Sequence, residues 1–162
     1  MNLPEDIILL VEDDHDQAEE IIEIIQQLKK YQVLWAKNGR EALQILSKNK
    51  KLLGFAGSKI KCILLDMMMP EMNGMQFIEQ LRKDEKKRII PNSIPVVFLT
   101  AYEDEEKWYS AIKNRAAGYL RKPFRKNDLE KILENIFEEW DHETLIEVTK
   151  TKGFEKLKDG SF

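Results

Sequence analysis

The amino-acid sequence predicts an α/β fold in which five βα units form one open, parallel sheet. Short apolar runs alternate along the chain with amphipathic stretches of helical period, which is the pattern of successive βα units. The runs are apolar on both faces, as expected for strands that helices cover on both sides. At 162 residues, the chain is long enough for one compact domain with a buried core.

The first two units are read from the N-terminal part of the chain. A strand is predicted at residues 7–11, and three acids follow it directly. Asp14 and Gln17 have the spacing of a capping box that starts the first helix. A second strand is predicted at 32–36, followed by a second helix. The irregular stretch 48–59 is interpreted as an extended helix end and a loop.

Three more strands are predicted, and a helix follows each of them. The predicted strands are residues 60–65, 95–99 and 117–120. The helix after the fourth strand carries Trp108, Ala111 and Ile112 at helical spacing. The last helix has an apolar stripe from 129 to 140 with the i, i+3, i+4, i+7 pattern.

Composition narrows the class of protein. The net charge is −3, which provides no overall basic field for nucleic acid, so direct nucleic-acid binding is not expected. No apolar run approaches the roughly 20 residues of a membrane helix, and no signal peptide is expected. The single cysteine, Cys62, has no partner for an internal disulfide. A cytoplasmic protein without membrane insertion is predicted.

Acidic side chains are predicted to meet at the carboxyl edge of the sheet, where open parallel sheets bind ligands. Glu12 and Asp13 follow the first strand, and Asp66 ends the third. Clustered carboxylates repel one another, and a hard cation such as Mg²⁺ relieves that repulsion. Thr100 and Lys122 follow the next strands and add a hydroxyl and an ammonium. This set suits phosphoryl transfer with Asp66 as the nucleophile.

Short motifs stand at these strand ends in a fixed order. They are Glu12-Asp13, Asp66 with Met69-Pro70 and Asn73-Gly74, Leu99-Thr100-Ala101, and Tyr119-Leu120-Arg121-Lys122-Pro123-Phe124. Together they resemble the receiver (CheY-like) domain of two-component response regulators, from about residue 5 to about residue 140. The interval from Asp13 to Asp66 is longer than is common in that family, and residues 48–59 absorb the excess.

The resemblance implies a fold and a domain organisation. The fold would be flavodoxin-like, a (βα)5 doubly wound parallel sheet with strand order 2-1-3-4-5. The receiver domain would span residues 1–140. Residues 141–162 would form a C-terminal helical extension or tail, with no separate output domain. The Lys122-Pro123 peptide bond would be cis, an isomer that is accessible mainly before proline.

The resemblance also implies a role for each site residue. Asp66 would accept the phosphoryl group, Lys122 would hold it, and Thr100 would swing toward its oxygens. Tyr119 would turn inward with Thr100, so these two residues would form the switch. The implied Mg²⁺ ligands are Asp13 and Asp66, Glu12 through a water molecule, and the backbone carbonyl of Met68.

The function implied is a phosphorelay switch rather than an enzyme with a separate substrate. A histidine kinase or histidine phosphotransfer protein would supply the phosphoryl group, and a downstream protein would dock on the modified state. A homodimer through the fourth helix, fifth strand and fifth helix is a further expectation. Two alternatives stay open: an N-terminal receiver module of a longer signalling protein, and a haloacid-dehalogenase-type phosphatase. The latter chemistry needs an acid two residues after the nucleophile, where this chain has Met68.

The rate of dephosphorylation is also predicted. In receivers, the side chains two places after the phosphoacceptor and two places after the threonine flank the path of the hydrolytic water. Here these are Met68 and Tyr102, and neither is a good base. Slow self-dephosphorylation is therefore expected.

Overall fold

Five strands form one parallel sheet in the computed structural model, which describes residues 6–52, 59–87, 93–101 and 116–138. The strand order is β2-β1-β3-β4-β5, so the predicted fold class and the 2-1-3-4-5 order are confirmed. Every pairing is parallel. The strands are β1 (Ile7–Val11), β2 (Gln32–Ala36), β3 (Ile60–Asp66), β4 (Val96–Thr100) and β5 (Gly118–Arg121).

Helices cover both faces of this sheet. Among the described residues they are α1 (His15–Leu28), α2 (Gly39–Leu52), α3 (Gly74–Lys86) and α4 (Lys126–Glu138). The long α2 confirms the predicted helix extension beyond residue 48. The loop predicted after it falls mainly on residues 53–58, outside the described residues, and stays a prediction. The helix predicted around Trp108, Ala111 and Ile112 and the tail at 141–162 lie outside the described residues, so both stay predictions.

Two apolar cores result, one on each side of the sheet. On one side α1 and α4 pack against the sheet, and on the other side α2 and α3 do so. Alternate residues of β1 serve the two cores: Ile8 and Leu10 point to the first, Leu9 and Val11 to the second. All four have no exposed surface. Each contributes about 1.5–3 kcal/mol through removal of its side chain from water.

The chain passes very close to itself where α3 begins. The Gly74 amide donates to the Met67 carbonyl over 3.0 Å. A Cβ atom on Gly74 would lie 2.7 Å from the Asp66 carbonyl oxygen and 3.0 Å from Phe98. Only glycine fits here without a backbone shift, because the nearest atom belongs to a strand rather than to a flexible side chain. Gly74 therefore fixes the turn that leaves Asp66.

A buried ion pair within α3 is hydrogen-bonded to the backbone of Ile94, which precedes β4. Arg82 Nη1 donates to Glu85 Oε2 over 2.7 Å and to the Ile94 carbonyl over 3.0 Å. Glu85 Oε1 accepts from the Ile94 amide over 2.8 Å. Glu85 is only 3% exposed, so removal of one partner would leave an uncompensated buried charge at a cost of about 3–5 kcal/mol. No pattern in the sequence predicted this network.

Candidate functional site

The strand register brings three strand ends to one edge of the sheet. Val11, the last residue of β1, is paired with Leu65 of β3. Glu12 and Asp66, the residues that come next, therefore lie side by side at this edge. β4 reaches this edge as well and ends at Thr100. The predicted convergence thus follows directly from the parallel pairing.

Three carboxylates meet at this edge. One oxygen each of Glu12, Asp13 and Asp66 lies within 4.8 Å of the other two. Glu12 is 1% exposed and Asp66 is 7% exposed, whereas Asp13 faces solvent. The cluster thus combines two buried acids with one through which solvent has access.

Lys122 brings an ammonium into this cluster. Its Nζ donates to Glu12 Oε2 over 2.5 Å, to Gln17 Oε1 over 2.8 Å and to Asp66 Oδ1 over 3.3 Å. The bonds to carboxylates are charge-assisted, because the donor and acceptor carry opposite charges. One ammonium cannot neutralise three ionised carboxylates, and two negative charges remain. An all-oxygen donor set with that surplus fits a divalent cation such as Mg²⁺.

The ionisation of Asp66 is strongly perturbed. Burial raises the pKa of the Asp66 carboxyl to about 6. The Lys122 ammonium opposes this rise, and the neighbouring Glu12 and Asp13 carboxylates add to it. At neutral pH the carboxylate is therefore mostly ionised, and it is held in an environment that a cation would stabilise.

The backbone of Glu12 is fixed from the neighbouring strand. Trp35 in β2 donates its indole N–H to the Glu12 carbonyl over 2.8 Å, and the Glu12 amide donates to the Ala36 carbonyl over 3.1 Å. His15 meets the Trp35 ring edge-on, with centroids 5.3 Å apart. The role of Trp35 was not predicted, because nothing in the sequence marks an indole on one strand as the partner of a carbonyl that follows another strand.

The start of α1 differs in part from its prediction. Asp14 is the N-cap, and its side chain accepts from the Gln17 amide over 2.9 Å, which also lowers the pKa of Asp14. The second half of the predicted capping box is wrong. The Asp14 amide donates to Glu12 Oε1 over 3.2 Å, and the Gln17 side chain accepts from Lys122 instead.

Comparison with known proteins assigns the chain to a family. Residues 8–134 match the sequence profile of the family described as "Response regulator receiver domain". The chain belongs to this family. The receiver is 32% identical over 130 residues to the transcriptional regulatory protein CrdR of Helicobacter pylori, with 80% of this chain and 54% of CrdR covered. It is also 32% identical to the probable methanogenesis regulatory protein FilR2 of Methanothrix harundinacea, with 83% of each chain covered.

Solved structures support the same assignment. The receiver superimposes on the chemotaxis protein CheY4 of Vibrio cholerae with a TM-score of 0.65 and 27% identity, with 82% of this chain and 98% of that chain covered. For a response regulator receiver domain from Clostridium thermocellum the TM-score is 0.68 at 26% identity, with 82% and 94% covered. Within the part of the receiver that the structure describes, none of the helices has the length and apolar character needed to cross a bilayer.

The remaining predicted site residues are placed to different extents. Met68, two residues after Asp66, exposes 53% of its surface. Tyr119 is half-buried and packs against the core that α2 and α3 cover. The Lys122-Pro123 peptide bond is cis, as predicted. Thr100 ends β4, but its side chain lies outside the described part of the receiver, so its switch role with Tyr119 stays a prediction.

Proposed function

We propose that this receiver domain accepts a phosphoryl group on Asp66 and signals through the change that follows at its surface. The observation that carries the proposal is the position of the Asp66 carboxylate. It lies with Glu12 and Asp13 in one cluster of carboxylates, 3.3 Å from the Lys122 ammonium, at the edge where parallel sheets bind ligands.

The reaction would be a transfer between a histidine and Asp66. An oxygen of the ionised carboxylate attacks the phosphorus of a phosphohistidine on a histidine kinase or phosphotransfer protein. The O–P bond forms as the P–N bond breaks, and the imidazole leaves with the electron pair and takes up a proton. Because its pKa is about 6, Asp66 has the ionised form that this attack needs at neutral pH.

The residues that would hold Mg²⁺ are Glu12, Asp13, Asp66 and the backbone carbonyl of Met68. When bound, Mg²⁺ supplies positive charge that balances the transferred phosphoryl oxygens and the clustered carboxylates. Lys122 would pair its ammonium with a phosphoryl oxygen once the carboxylate charge of Asp66 is lost.

Signalling would follow as a population shift between two packings of the domain. Phosphoryl contacts with Thr100, available in only one packing, would favour the state in which Tyr119 turns inward. The altered face would bind a downstream protein or a second copy of the receiver, through the fifth strand and the helices beside it. We place this process in the cytoplasm and assign it no direct contact with nucleic acid or membrane.

Incubation with acetyl phosphate and Mg²⁺, followed by intact-mass measurement, tests the proposal. The unchanged protein should gain one phosphoryl group, and Asp66→Asn should gain none because the amide is not a nucleophile. Asp16→Asn is the matched control, since the Asp16 carboxylate is fully exposed and outside the acid cluster. A phosphoryl group on Asp66→Asn, or none on the unchanged protein, would contradict the proposal.

The greater length of one relative favours a second arrangement, in which the receiver is part of a longer protein. The chain spans 54% of CrdR but 83% of FilR2, so relatives of both greater and similar length exist. The receiver would then be the N-terminal module of a longer regulator, with the same chemistry at Asp66. Sequencing the gene beyond the codon for Phe162 distinguishes the two arrangements. A phosphatase has no such support, because Met68 stands where the leaving-group acid would be.

A further inference from the structure

Two glutamines hold the same position in two helices and are used differently. Gln17 and Gln76 are each the third residue of a helix, in α1 and α3 respectively. Gln76 closes a reciprocal cap with Asn73, with bonds of 3.0 and 2.9 Å. Gln17 does not return to its own N-cap; its Oε1 accepts from Lys122 Nζ over 2.8 Å. The side chain of Gln17 is thus directed to the site rather than to its helix.

The Lys122 ammonium has three N–H donors, and three oxygens among the described residues accept from it. The contact with Asp66 is the longest, at 3.3 Å, compared with 2.5 Å to Glu12 and 2.8 Å to Gln17. Phosphorylation would change only one of the three acceptors, because the Asp66 carboxylate would lose its charge when one of its oxygens bonds to phosphorus in an acyl phosphate. The acceptors on Glu12 and Gln17 would remain as they are.

We infer that Gln17 is a positioning residue for Lys122. Together with Glu12 it holds the ammonium in place, so that the N–H now directed at Asp66 is passed to a phosphoryl oxygen without a search of side-chain rotamers. The inference rests on the proposed function, since the hand-over requires that Asp66 be the phosphoacceptor. It adds a residue that the sequence analysis assigned only to helix capping.

The neutrality of Gln17 is part of its role. An amide oxygen accepts a hydrogen bond without cancelling the charge of the ammonium, which stays available for an anion. A glutamate in the same place would add another carboxylate beside Lys122 and would repel the phosphoryl oxygens. The position of the Gln17 side-chain oxygen and its lack of charge can therefore be tested separately. Three variants do so, two at Gln17 and one control.

The first measurement follows the Lys122 ammonium itself in the unphosphorylated protein. Its ¹H–¹⁵Nζ correlation, identified by its loss in Lys122→Arg, reports how fast the N–H groups exchange with water. Gln17→Met keeps the side-chain length but removes the acceptor, and we expect faster exchange. Gln17→Glu should keep exchange slow. Gln27→Met is the control, because Gln27 is exposed further along the same helix.

The second measurement is the affinity for beryllofluoride, a phosphoryl analogue, in the presence of Mg²⁺. Gln17→Met should weaken binding about three- to tenfold through loss of one exposed hydrogen bond to a charged group. Gln17→Glu should weaken it through repulsion although the ammonium stays held, and Gln27→Met should match the unchanged protein.

The outcomes separate this inference from the proposed function. Equal ammonium exchange in Gln17→Met and the unchanged protein would overturn the inference, whether or not Asp66 is phosphorylated. Unchanged beryllofluoride affinity in Gln17→Met would overturn it too. Faster exchange in Gln17→Met, with no binding of beryllofluoride by the unchanged protein, would refute the proposed function and the hand-over with it.

Discussion

Opposing electrostatic influences act on the Asp66 carboxyl. Their balance determines its pKa and, through it, affects the free energy of unfolding. Burial raises its pKa, Lys122 lowers it, and the carboxylates of Glu12 and Asp13 raise it again, to about 6 from an ordinary value of 3.8. Between these two values the folded protein binds a proton that the unfolded chain has lost. The free energy of unfolding therefore falls as the pH rises through this window. Above it, the ionised Asp66 carboxylate is retained at a net cost in stability.

Replacement of this carboxyl by an amide should remove that cost. We expect Asp66→Asn to raise the free energy of unfolding of the metal-free protein by about 1–3 kcal/mol near pH 7. The gain should shrink as the pH is lowered toward about 4, where the carboxyl of the unchanged protein is neutral. Urea unfolding in EDTA across this range measures it, with Asp16→Asn as the control. A loss of stability in Asp66→Asn near pH 7 would contradict the assignment.

The side chain of Met68 leads to a second prediction, which concerns the lifetime of a phosphoryl group on Asp66. Its exposed thioether, two residues after Asp66, offers no group that would orient a water molecule for attack. Tyr102, the other residue on which this prediction depends, lies outside the described residues. Self-dephosphorylation should therefore be slow, and a half-life of seconds in Mg²⁺ buffer would refute this. Met68→Asn should hydrolyse about three- to tenfold faster, while Met68→Leu should match the unchanged protein. Loss of label from the phosphorylated protein gives both rates.

The helices α2 and α3 both begin with a glycine, and the two glycines have different surroundings. Gly39 is the first residue of α2, and Gly74 is the first residue of α3. A Cβ on Gly39 would approach Met72 Sδ to 2.8 Å, the flexible end of a side chain. A Cβ on Gly74 would meet the backbone oxygen of Asp66 at 2.7 Å, which cannot move without displacing β3. The same substitution should thus have different consequences at the two helices.

We expect Gly74→Ala to lower the free energy of unfolding by about 1–3 kcal/mol through overpacking. It should also reduce phosphorylation by acetyl phosphate, because the turn that leaves Asp66 shifts. Gly39→Ala is the control and should be within about 1 kcal/mol of the unchanged protein, since the thioether can rotate away and alanine favours the helix. Chemical denaturation and intact mass measure the two effects. Equal destabilisation by both substitutions would show that the close approach at Asp66 is unimportant.

For the whole molecule, binding of a cation at the carboxylate cluster would couple to folding. A ligand that binds only the folded state raises its stability with concentration, by about 2.7 kcal/mol at a hundred times the dissociation constant. We expect the Tm to rise with Mg²⁺ in the unchanged protein and in Asp16→Asn. In Asp13→Asn the rise should be much smaller, because a solvent-facing ligand is lost. A similar rise in Asp13→Asn would place the cation elsewhere.

The sequence predicted those parts of the molecule that depend on pattern along the chain. Apolar runs located all five strands to within one residue at either end, and the acids after β1 and β3 meet because parallel strands end together. Contacts between side chains distant in sequence were not predictable in this way. Trp35 in β2 donates to the Glu12 carbonyl just after the neighbouring β1. Gln17 accepts from Lys122 and does not complete its local cap. Such choices depend on which group the completed fold places nearby.

The buried network of Arg82, Glu85 and Ile94 affects how the protein should tolerate a longer segment between α3 and β4. Glu85 accepts from the Ile94 amide, and Arg82 donates to the Ile94 carbonyl, so the two ends of the intervening segment are fastened to each other. Closure of a loop whose ends are already joined becomes only slowly more costly as residues are added, by about 0.6 kcal/mol per doubling of length. A peptide tag inserted at 88–92 should therefore leave the melting temperature nearly unchanged. A marked fall in the melting temperature of the tagged protein would contradict this.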